Sequence, residues 1–137
     1  MRRSDWRLVA GAAVVQVVTA CALRVMSLPA LRRFLARLGP LAVFMLNGAE
    51  DRVVWAVEAT GRRLSRVGLS TCLVRAIVAD LGLSSPERPL QLTIGVKRAG
   101  SGRLQSHAWL ADRDRILVGG QSAGEFLPLV AWDSVRV

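Results

Sequence analysis

The sequence predicts an α+β domain in which a helical first half precedes an antiparallel sheet. Three observations predict it: apolar residues recur at helical spacing as far as about residue 81, strict alternation replaces that spacing from residue 89, and no repeat or low-complexity linker divides the chain. A length of 137 residues fits one folding unit, with residues 1–66 as a basic helical lead-in and 67–137 as the core that would carry chemistry.

Residues 6–25 lack proline and contain only Gly11, so they predict one helix, although its many valines leave packing to hold it. "SLPALRRFLARLG" predicts a second, with Ser27 as cap, Pro29 in the first turn and Gly39-Pro40 as the stop. Leu28, Leu31, Leu35 and Leu38 share one face there, with Arg32, Arg33 and Arg37 mostly off it. A third helix is expected from about Ala49 to Leu64, with Val53, Ala56, Val57 and Thr60 or Leu64 inward. A fourth follows the caps Ser70-Thr71, from Cys72 to about Leu81, and stops at Gly82. "SSPERP" is then a loop. In "PLQLTIGVK", Leu90, Leu92, Ile94 and Val96 alternate with Gln91, Thr93, Gly95 and Lys97, the pattern of a half-covered strand. "RLQSHAWLA" and "RILVGG" predict two more strands around a tight turn at 112–114, and the tail offers Phe126, Leu127, Leu129 and Trp132 for packing, with room for a short final strand.

Composition narrows the function. The chain is 52% hydrophobic with mean hydropathy +0.36, which excludes a disordered polyelectrolyte. Its net charge is +9, and residues 1–66 hold eleven arginines against four carboxylates, so the first half is the side that would meet an acidic partner. Nucleic acid is not the expected partner, because there is no tyrosine and no aromatic-basic platform. Cys21 and Cys72 are too few for a disulfide framework, and one histidine leaves a zinc site short of ligands, so a reducing, cytoplasmic setting with neither metal nor cofactor is expected. The uncharged stretch at residues 8–23 follows a basic start and has three readings: a buried helix, a membrane-associated helix or a targeting segment.

Cys72 carries the chemical question. A capped helix start places its thiol beside backbone N–H groups and the positive end of the macrodipole, which favour negative charge and could also hold an oxyanion. The competing reading is a small buried hydrophobe. His107 lies inside the second predicted strand, facing with Trp109 and Ala111, either as a structural residue or as the base of a Cys-His pair. A hairpin centred on Arg113 would set Gly119 opposite His107 and leave Asp112 and Asp114 at the tip, where aspartate ordinarily serves the turn.

"TCLVRA" at 71–76, "LQLTIGV" at 90–96, "SHAWLADRDRILVGG" at 106–120 and "FLPLVA" at 126–131 resemble the transglutaminase-like cysteine proteases that act as stand-alone leader peptidases in lasso-peptide biosynthesis. "LRVMSLPALRRFLARLG" and "VVWAVEATGRRL" are similar to that family's helical lead-in. The resemblance implies a papain-like or transglutaminase-like fold and a Cys-His-Asp triad, with Cys72 and His107 in the first two roles. The family's aspartate position coincides with Gly119, so Asp112 is taken as the third member, with Asp114, a main-chain carbonyl or a pair working without a carboxylate as the alternatives. The resemblance also implies partners: a precursor peptide bearing a leader, a separate leader-recognition protein and a cyclase. Two other accounts use the same residues, a catalytically silent adaptor for the precursor or a membrane-bound partner, and an acyltransferase that passes the acyl group to an amine.

Overall fold

The computed structural model describes residues 2–133, in which four helices precede a four-stranded antiparallel sheet. Helix α1 (Arg3–Val25) turns Leu8, Ala12, Val15, Gln16 and Thr19 inward at helical spacing. By length and composition it could cross a bilayer, yet 44% of its apolar window is buried inside the protein. Cys21 falls on the exposed side of this helix, between the inward-facing Thr19 and Ala22.

Helix α2 (Leu28–Met45) overrides the stop expected at Gly39-Pro40 and continues through it. Pro40 cannot donate to the carbonyl of Ala36, a loss of about 3 kcal/mol in a helix interior. Leu31, Leu35, Ala42 and Leu46 nevertheless form one buried row across the break, and each fully buried leucine contributes ~1.5–3 kcal/mol. Tertiary burial therefore outweighs the local signal. The side chain of Leu28, expected on this row, lies outside the described residues.

Helix α3 (Glu50–Ser65) buries Val53, Ala56, Val57 and Thr60 as its spacing predicts. Glu50 and Asp51 begin it and Arg62 and Arg63 end it, each sign complementing the macrodipole. Helix α4 (Cys72–Leu83) packs on all three other helices and on the sheet. Val74, Ala76, Ile77, Val78, Ala79 and Leu81 are buried, so apolar side chains surround most of its circumference. It runs one residue past Gly82 to Leu83, and a Cβ at Gly82 would lie 2.8 Å from Cδ1 of Leu46, the residue that follows α2. That glycine permits close helix approach instead of ending the helix.

The strands β1 (Gln91–Arg98), β2 (Leu104–Asp112), β3 (Arg115–Val118) and β4 (Leu127–Asp133) lie in the order β3-β2-β1-β4. The β2–β3 turn is one residue tighter in register than a hairpin centred on Arg113. Asp112 pairs with Arg115, and a bulge at Leu110/Ala111 then sets Leu110 opposite Val118. A 3-10 helix at Gly120–Glu125, unforeseen in the sequence, carries the chain from β3 back toward β4 beside β1. Leu92, Ala108, Leu110 and Val118 join the helical core. The other face is covered as well: Thr93 is buried, and a Cβ on Gly95 would lie 2.9 Å from Trp109 Cη2 and 3.0 Å from Phe126 Cβ. Strand β1 is thus covered on both faces at its centre, where alternation predicted one.

Candidate active site

Thr71 caps α4, its hydroxyl oxygen accepting the Val74 N–H at 3.3 Å. Cys72 therefore occupies the first helical position, half-buried, beside N–H groups that no helical carbonyl can reach. Ser70, the other capping candidate, is turned away into the core.

An open cleft of roughly 670 Å³ is lined by Cys72 and Arg75 of α4, Glu58 and Arg62 of α3, His107 of β2, and residues 117–120. The fold thus brings Cys72 and His107, 35 positions apart in sequence, to one concavity. No hydrogen bond joins them among the described residues. Arg75 follows Cys72 by one helical turn and bridges to Glu58 at 3.6 Å, while Arg62 stands exposed beside them. Gly61 makes this possible, since a Cβ there would meet Arg75 Cδ at 2.8 Å. Sequence reasoning missed Glu58, Arg62 and Arg75; the i, i+3 spacing from Cys72 was the available signal for Arg75.

His107 is half-buried between aromatic rings, with centroids 5.1 Å from Phe126 and 6.0 Å from Trp109. It shares the Trp109 face of β2 rather than the Ala108–Leu110 face that enters the helical core. Its Nε2 lies 2.6 Å from the carbonyl oxygen of Gly119. A carbonyl only accepts, so the bond assigns the proton to Nε2 and leaves Nδ1 as the basic nitrogen. Gly119 has φ +82°, and a Cβ on it would lie 2.7 Å from the Ala108 carbonyl oxygen. Both facts require glycine.

Asp112 is elsewhere. Five residues along β2 from His107, about 16 Å at strand rise, it accepts from Arg88 Nε at 3.0 Å and Nη2 at 2.9 Å. Glu50 completes this cluster, bridged to Arg88 at 2.5 Å and Arg115 at 2.9 Å. Burial pulls the Arg88 pKa down, but the hydrogen bonds to Asp112 and Glu50 and their charge outweigh it and hold the guanidinium above its ordinary value. Asp112 is therefore committed to tying β2 to α3 and the 84–89 loop, and the structure does not bring it to the imidazole. Arg113, at φ 55°, forms the turn beside it. A second groove, between α1 and α2 and lined by Arg7, Gly11, Val14, Phe44 and Met45, carries no cysteine, histidine or carboxylate.

A family model described as the transglutaminase-like superfamily matches residues 13–131, which takes in both the helical lead-in and the sheet. No curated protein and no solved structure matches the chain.

Proposed function

The chain belongs to the transglutaminase-like superfamily, and from that premise we propose that it is a cytoplasmic cysteine peptidase that removes the leader from a lasso-peptide precursor. The observation that carries the chemistry is the shared cleft of Cys72, at a capped helix start, and His107, whose Nε2 is engaged by Gly119. Catalytic hydrogen bonds often tighten only when substrate is bound, so a thiol and imidazole bordering one cleft with no hydrogen bond between them among the described residues fit the role.

In the proposed reaction, His107 Nδ1 takes the Cys72 thiol proton, and the sulfur attacks the scissile carbonyl carbon. N–H groups at the start of α4 stabilise the oxyanion. Collapse breaks the C–N bond as the imidazolium returns its proton to the departing amine, leaving a thioester on Cys72. Water, deprotonated by Nδ1, then releases the leader carboxylate and restores the thiol. Throughout, the Gly119 carbonyl keeps the ring oriented in place of the carboxylate of a Cys-His-Asp triad. A neutral carbonyl stabilises imidazolium less than a carboxylate does, since charge-assisted hydrogen bonds are about twice as strong as neutral ones. The basic lead-in, with Arg32, Arg33 and Arg37 exposed, would seat an acidic leader or the recognition protein, and a cyclase would take the released core. An amine could intercept the same thioester, giving acyl transfer.

The test combines the purified chain with a candidate precursor and its recognition protein, under reducing conditions and without metal or nucleotide, and reads the products by mass spectrometry. One cut yielding a free leader carboxylate is expected, with Cys72→Ala binding but not cutting. A leader joined to an amine would establish acyl transfer instead. Binding without processing by either protein would replace the peptidase with an adaptor.

A further inference from the structure

Gln16 is a polar residue in the long uncharged stretch of α1, and it is completely buried. Its Nε2 donates to the Val57 carbonyl at 3.1 Å and to Thr60 Oγ1 at 2.6 Å, while its Oε1 accepts from Ser70 Oγ at 2.8 Å. The amide orientation is determined by these partners, because a carbonyl such as Val57 can only accept. Thr60 passes its own proton to the Ala56 carbonyl at 2.7 Å. Ser70 Oγ in turn accepts from Arg75 Nε at 3.4 Å, and Arg75 reaches Glu58 on the cleft wall. Every polar atom of Gln16 is matched, and the chain of bonds ends two residues before Cys72 and at a residue that lines its cleft.

We propose that Gln16 is a positioning residue for Cys72, acting through Ser70 and Arg75 to hold the start of α4 in register with the cleft. The inference rests on Cys72 being the nucleophile. Helix packing alone would be served better by an apolar side chain, since α1 pays desolvation to bury this amide and gains only about 0.5–1.5 kcal/mol net per neutral hydrogen bond. What the amide adds is direction. It ties the Ser70-Thr71 capping segment to α1 across 54 residues and α1 to α3 across 44, so that the N–H groups and thiol at the helix start are fixed by two neighbouring helices.

The test measures the alkylation rate of Cys72 by iodoacetamide across a pH series, with peptide mass mapping and with exposed Cys21 as the internal reference. Gln16→Leu and Ser70→Ala, each confirmed folded by circular dichroism and thermal melting, are expected to change the Cys72:Cys21 ratio by about tenfold, less than the ~100-fold that a misplacement of 1 Å costs a reaction. The double variant is expected to change it no more than the larger single change, because both belong to one chain. Ser70→Thr, which keeps the hydroxyl, is expected to stay within threefold of wild type. Folded single variants with an unchanged ratio and pH profile, or changes that multiply in the double variant, would overturn the proposal. Peptide cleavage is scored separately: a wild type that fails to cut removes the peptidase reading, whereas the alkylation ratio alone decides the role of Gln16.

Discussion

Gly119→Ala tests the least conventional part of the site, a main-chain carbonyl in the place of a carboxylate. At φ +82° an alanine meets the left-handed penalty of about 1–2 kcal/mol. Its Cβ would also lie 2.7 Å from the Ala108 carbonyl oxygen and 3.2 Å from Trp109 Cα, both backbone atoms that cannot swing aside. Relieving such overpacking costs a further ~1–3 kcal/mol. The sum is about 2–5 kcal/mol, which lowers Tm by roughly 6–15 °C for a chain of this size. The relief must move the Gly119 peptide, and with it the oxygen 2.6 Å from His107 Nε2. A shift approaching 1 Å predicts a fall of about 100-fold in kcat, with KM little changed. Gly119→Asp would not repair the triad, because the same Cβ collision precedes any benefit from its carboxylate. The chain has one histidine, so long-range ¹H–¹⁵N spectra of ¹⁵N-labelled protein report the tautomer without assignment. The neutral wild-type imidazole is expected to carry its proton on Nε2, and Gly119→Ala to populate both tautomers. A folded Gly119→Ala protein with kcat within threefold of wild type, or a wild type protonated on Nδ1, would refute the reasoning.

Asp112→Ala is expected to lower stability by about 1–3 kcal/mol, by leaving Arg88 without one of its carboxylates, yet to retain cleavage within a few-fold, while Cys72→Ala abolishes it; loss equal to that of His107→Ala in a folded protein would restore Asp112 as the third member. Reversing Arg32, Arg33 and Arg37 to glutamate is expected to raise KM or weaken partner binding with kcat preserved, measured by steady-state kinetics and by titration with the recognition protein; a loss confined to kcat would contradict it. Glu125 is held below the usual carboxylate range by its hydrogen bond and charge contact with Lys97. Its contribution to stability is therefore present above the unfolded carboxylate value and disappears as pH falls through the lower folded value. Glu125→Gln should flatten that acid limb of a Tm-against-pH curve, and an unchanged limb would show the pair to be without effect.

The sequence by itself determined those features whose cause is local. Alternation from Leu90 to Lys97 specified a strand, the i, i+3, i+4 spacing of Val53, Ala56, Val57 and Thr60 specified a helix face, and Ser70-Thr71 before Cys72 announced a helix start. The run from "TCLVRA" through "HAW" also carried the family resemblance. Tertiary structure decided what depends on neighbours remote in the chain. Pro40 does not end α2 because Ala42 and Leu46 gain burial beyond it, and the glycine at 82 answers to the Leu46 side chain that fills the place of a Cβ, not to the end of α4. Cys21 is exposed because the rotational phase of α1 was set by what packs on it, not by its own uniformly apolar pattern. The third partner of the imidazole was legible only as one alternative among several, because it is a carbonyl oxygen, which every residue possesses; the register bulge at Leu110/Ala111 and the left-handed Gly119 accompany its approach to His107.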